Sequence, residues 1–139
     1  MLLVTLALVL AIGCSSAALA RTHPSLSILL VPRHPASGGH YTITLKGRAP
    51  TGGKLGKNHN RTELDIIEQL GGSCASTPQG ELSKSGIADL GPLYVKAGKF
   101  NFSQKRTAAS TPGTTIRFCG YLSKGLHTLV AKATIAYSV

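Results

Sequence analysis

The sequence predicts an all-β fold, an antiparallel sandwich of about seven short strands with an export signal in front of it. Three observations carry this expectation. Short stretches alternate apolar with polar side chains, the period of a half-buried strand. Sixteen Gly and seven Pro, with many Ser and Thr, interrupt the chain where helices would need unbroken runs. The 139 residues leave room for one domain, which can bury roughly two-thirds of its unfolded surface in a single core.

The elements follow in order. Leu2 to Ile12 is an apolar run too short to span a bilayer, and small residues lead from it to Ala18-Leu19-Ala20, an A-x-A cleavage site. Residues 1–20 are therefore expected to be a signal peptide, and residues 21–139 one secreted or extracytoplasmic domain. Leu10-Ala11-Ile12-Gly13-Cys14 also resembles the lipobox of bacterial lipoproteins, so the alternative is a chain lipid-anchored through Cys14 at the membrane surface. No long apolar run follows residue 20.

Leu26, Ile28 and Leu30 alternate with Ser25, Ser27 and Leu29 and predict a strand closed by Pro32. Pro35 to Gly39 reads as a turn. Tyr41, Ile43 and Leu45 alternate with Thr42, Thr44 and Lys46, the clearest strand, with one face in the core and one in water. Arg48 to Asn60 reads as a loop. Arg61 to Leu70 reads two ways. Asn60-x-x-Glu63 and Gly71-Gly72 would frame a short helix, whereas Leu64 and Ile66 alternate with Glu63 and Asp65 as on a strand. A strand is expected, because the helix would stand alone among strands.

Ser76 to Ser85 is turn-rich. Leu93 with Val95, then Phe100 with Phe102, predict two further strands, and Lys105 to Gly113 a polar turn. Ile116, Phe118 and Leu122 fall on one strand face, Arg117, Cys119 and Tyr121 on the other. Leu129 to Val139 alternates as a long terminal strand. Either form of processing leaves two thiols, Cys74 and Cys119, in the exported domain, and an even count there predicts a disulfide.

Tyr41-Thr-Ile-Thr-Leu45, Leu64 to Cys74 and Ile116-Arg-Phe-Cys-Gly-Tyr-Leu122, with the strand order and the export signal, resemble small secreted bacterial domains of the immunoglobulin-like β-sandwich type over roughly residues 25–139. The chain has no Trp, and its first domain cysteine follows the third strand rather than lying in the second. The resemblance implies a sandwich of about seven strands that binds, braces or spaces; it does not itself specify a ligand.

Residues for catalysis are sparse. His23, His34, His40, His59 and His127 show no close metal-ligand spacing, and no G-x-S-x-G elbow is present. Glu63 and Glu68, five apart, fall on opposite strand faces, a poor acid–base pair. No catalytic, metal or cofactor residues are assigned, and an exported non-enzymatic binding or structural domain is expected, with a small secreted hydrolase as the remote alternative. Charge is the one biased feature. Lys and Arg number 15 against 5 Asp and Glu, a net +10. Lys46, Arg48, Lys54, Lys57 and Arg61 form one basic group, and Lys96, Lys99, Lys105 and Arg106 a second. The plainer expectation is a solvated basic surface without a specific ligand. The alternative is a basic surface protein that binds an anionic cell-envelope polymer, and the partner, such a polymer or another protein, is left unspecified by the sequence. Nucleic acid is not expected, because aromatics are 5% and offer no stacking platform. Asn60-Arg-Thr62 and Asn101-Phe-Ser103 match the glycan acceptor pattern.

Overall fold

The structure, a computed structural model, describes residues 23–50, 62–124 and 128–139. The expected signal peptide, Cys14, Lys54, Lys57 and Arg61 lie outside the described residues.

Alternation translates directly into two antiparallel sheets. The first has the order β1 (Ser25–Val31), β2 (His40–Ala49), β6 (Gly98–Thr107). The second has the order β4 (Ile87–Asp89), β3 (Thr62–Leu70), β7 (Thr115–Lys124), β8 (Thr128–Ser138), with β5 (Leu93–Val95) beside β4 on the same edge of β3. Leu30, Tyr41, Ile43 and Leu45 from the first sheet meet Leu64, Ile66, Ile116, Phe118 and Leu122 from the second. Each such side chain taken out of water stabilises the fold by roughly 1.5–3 kcal/mol. Tyr41, Phe118 and Tyr137 interlock there as tilted rings, centroids 5.2–6.3 Å apart.

Residues 62–70 are a strand, and the alternation decided it: Leu64 and Ile66 enter this core while Ile67 turns the other way. Gly71 and Gly72 then reverse the chain with φ of 59° and 69°, a left-handed pair that side chains other than glycine rarely adopt. Four segments differ from expectation. The turn-rich stretch holds a one-turn helix, α1 (Pro78–Leu82), capped by Thr77, whose Oγ1 accepts from the Gly80 N–H at 3.1 Å, with Pro78 opening the first turn. An eighth strand, β4, pairs with β3 over three residues, too few for alternation to register. Strands β2 and β6 run on through Arg48 and through Lys105 and Arg106, where a loop and a polar turn were expected. They pair over ten residues, and a backbone ladder carries polar side chains as readily as apolar ones.

The second sheet is covered on both faces. On its outer side Ile67, Cys119 and Tyr121 form a second buried cluster. The crossover containing α1 lies over it, held by the expected Cys74–Cys119 disulfide, Cα atoms 5.6 Å apart. That bond joins the β7 neighbour of β3 to the segment just past the end of β3, so it closes one sheet against its own crossover. A disulfide is compatible with an extracellular location. No helix among the described residues is long and apolar enough to cross a membrane.

Asp65 sits on this outer side, 8% exposed. Burial, then the charges of Glu63 and Asp89, push it up to about 6. The native state therefore holds this proton more tightly than the unfolded chain does. The associated stability is complete below about pH 4 and is lost as pH rises through about 6. Asp65→Asn is expected to raise stability by about 2–3 kcal/mol at pH 8 and to leave it unchanged at pH 4. Thermal melts at the two pH values check this; an unchanged melting temperature at pH 8 would show that Asp65 ionises in the fold at no cost.

Candidate anion-binding face

The outer face of the first sheet is fixed by parity. Leu26, Leu45 and Phe100 point into the core, so their neighbours along each strand point out. The register then sets two rows across β1, β2 and β6: Ser25–Arg48–Lys99, and beside it Ser27–Lys46–Asn101. Together they wall a hollow of about 570 Å³ whose floor is the row Leu26–Gly47–Phe100. A Cβ at Gly47 would meet the Phe100 ring and the Ser25 carbonyl oxygen, so glycine is the residue that lets these three strands close up under the hollow.

One cation of the second basic group, Lys99, therefore meets two of the first, Lys46 and Arg48. Arg48 lies directly opposite Lys99 on adjacent strands, and Lys46 is the next outward residue of β2. Like charges in opposed positions are destabilising in a sheet. Among the described residues, no carboxylate lies within 4 Å of any of the three. All five carboxylates of the chain fall between Glu63 and Asp89, on β3, α1 and β4, and the strands of the first sheet carry none. Farther along the same face, Lys105 stands opposite Thr42, and Thr44 and Ser103 share a 2.9 Å hydrogen bond. The face carries no Phe, Tyr or Trp; its apolar members are Leu29 and Val31, 45% and 56% exposed.

Arg106 is a correction. It belongs to the core-facing row of β6, opposite Tyr41, and donates to Glu68 Oε2 at 2.6 Å, an ion pair that joins the two sheets. Strand parity removes it from the face that Lys99 and Lys105 share. Lys96 is exposed between β5 and β6, outside the hollow. The residues missed at the sequence level are Ser25, Ser27 and Asn101. Their signal was the same alternation that marked the strands, but only the register sets them beside the cations.

Other candidates stay apart. His23, His34 and His40 are exposed, and His40 Nδ1 lies 3.3 Å from Thr107 Oγ1; His59 and His127 fall outside the described residues. Glu63 and Glu68 lie on opposite faces of β3, as expected: Glu68 shares the row of Leu64 and Ile66, Glu63 that of Asp65 and Ile67. Lys132, on β8, donates to the carbonyl oxygens of Cys74 and Ala75 at 3.1 and 2.5 Å and lies 5.6 Å from the centre of the Tyr121 ring, so its charge holds the crossover. No group of three or more metal-binding side chains converges among the described residues.

Fold and face together define a class: a disulfide-closed, all-β antiparallel sandwich with one carboxylate-free basic sheet. No family model and no curated protein sequence matches the chain.

Proposed function

We propose that this chain is an exported, non-enzymatic binding domain of immunoglobulin-like type that holds anionic polymers on the outer face of its three-stranded sheet. The observation that carries this reading is the Arg48–Lys99 opposition with Lys46 beside it, on a sheet that contains no carboxylate. Repulsion among these cations is relieved when an anion bridges them, so an unpaired basic cluster is more stable occupied than empty. The disulfide and the A-x-A segment support action outside the membrane. The mature chain is then either free after cleavage at Ala20 or held at the surface through a lipid on Cys14, and the mass of its N-terminal peptide separates the two.

The test is retention on an immobilised sulfated or carboxylated polymer across a salt gradient. Retention should fall steeply as salt passes physiological ionic strength, where the screening length is about 8 Å. The triple variant Lys46→Glu, Arg48→Glu, Lys99→Glu should lose most of its retention. Charge reversal at three cations outside the hollow, Arg33, Lys96 and Lys124, should leave most of it. Equal losses from the two triples would mean that net charge alone is sensed, and the reading would be dropped.

A further inference from the structure

We infer that the hollow over Gly47 is a subsite for one acidic sugar residue of an anionic polysaccharide. This deepens the anion-binding reading and rests on it. The dimensions come from sheet geometry. Three strands side by side span about 10 Å, and the two walling rows stand about 7 Å apart along the strands. A single ring with its substituents fits within such a frame. The volume of about 570 Å³ falls within the range of small-ligand sites.

The chemistry of the walls narrows the ligand. Three of the six walling side chains, Lys46, Arg48 and Lys99, are donors only. The other three, Ser25, Ser27 and Asn101, contribute acceptor oxygens. Ser27 is the informative one: its Oγ already donates to the Lys46 carbonyl at 3.2 Å. While that long bond is made, its lone pairs remain to accept. A polyphosphate chain at neutral pH presents acceptors almost exclusively, so it has nothing to offer Ser27. A sugar presents hydroxyl donors, and an acidic sugar adds a carboxylate or sulfate for the cations. Arg48 supplies a planar fork suited to either anion, with Lys99 opposite it as a second charge. Hydroxyls of the same ring then donate to Ser27 Oγ and Asn101 Oδ1 on the neighbouring row. With no Phe, Tyr or Trp on the face, bases of single-stranded nucleic acid find no row of aromatic platforms there.

The test uses the whole domain at about 0.15 M salt. The probes are polygalacturonate oligosaccharides, inorganic polyphosphate of matched charge, and vesicles containing anionic phospholipid. Ser27→Ala and Asn101→Ala alter exposed side chains, and unchanged melting temperatures confirm that both variants fold. Each should weaken oligosaccharide binding roughly 5- to 10-fold, and Ser27→Ala should leave polyphosphate binding within about 2-fold. If both variants bind the two polymers as the parent does, the site reads charge alone. The sugar proposal then falls and the anion-binding reading stands. Binding to vesicles but not to oligosaccharide would make a lipid surface the partner and overturn the proposal. Binding to none of the three probes would overturn both readings.

Discussion

Replacing Cys74 and Cys119 together by alanine is expected to lower the melting temperature by roughly 10–15 °C at neutral pH. The disulfide closes a loop across a sequence separation of 45, and in the chain-entropy description a cross-link of that span contributes about 4 kcal/mol. Its position adds a local consequence. Cys119 is fully buried, and the bond holds residues 71–86 over Ile67 and Tyr121. The double variant should therefore lose hydrogen-exchange protection first in α1 and the segments flanking it, while β2 and β6, in the other sheet, keep theirs. Differential scanning calorimetry and exchange measurements on the parent and the variant check both parts. A fall of less than about 3 °C, with the crossover still protected, would show that α1 holds its place without the bond.

Glu81→Ala is expected to cost about 1–3 kcal/mol at pH 7. Glu81 is completely buried under the crossover. Its carboxylate accepts from the Ala75 N–H at 2.5 Å and from Lys84 Nζ at 3.0–3.1 Å. Tyr121 Oη lies 3.1 Å from Oε2 and 2.9 Å from the Ala75 carbonyl oxygen, so its one proton serves one of the two at a time. Truncation leaves these donors without the acceptor around which they converge. Burial pushes the carboxyl up, but the Ala75 amide, Lys84 and Tyr121 together outweigh it and hold the group below the usual carboxylate range. The stability it contributes is therefore present above about pH 4.5 and is lost as pH falls through the lowered folded value. Glu81→Gln, close to an isostere, should destabilise at pH 7 and converge on the parent in strongly acid solution. Denaturant titrations across that range check the sign. A loss that stays constant down to acid pH would mean that the charge of Glu81 contributes nothing. Asp65 works in the opposite sense, so the joint contribution of these two carboxyls is largest between their titrations, in mildly acid solution.

The all-β class, the strand character of residues 62–70 and the partnership of Cys74 with Cys119 were legible in the sequence. Each depends on a local rule: period-two alternation, or an even thiol count in a domain expected to be exported. The faces of β7 were legible for the same reason, with Ile116, Phe118 and Leu122 assigned to one side and Cys119 and Tyr121 to the other. What covers the second side was not legible. Glu81 and Lys84 read as ordinary members of a turn-rich stretch, yet the fold places Glu81 at the centre of a buried polar network 40 residues from Tyr121 in sequence. The candidate face divides in the same way. That Lys46 points outward follows from its neighbours Leu45 and Ile43, but that Arg48 stands against Lys99 follows only from the β2–β6 register. Arg106 shows the limit most clearly. Its sequence neighbourhood is as basic as that of Lys105, and a shift of one residue along β6 turns it from the solvent face toward Tyr41 and Glu68. Alternation by itself determined which residues share a side of each strand. Long-range pairing decided which strands lie together, and so which charges meet and which are neutralised, because register is a property of two strands and neither encodes it alone.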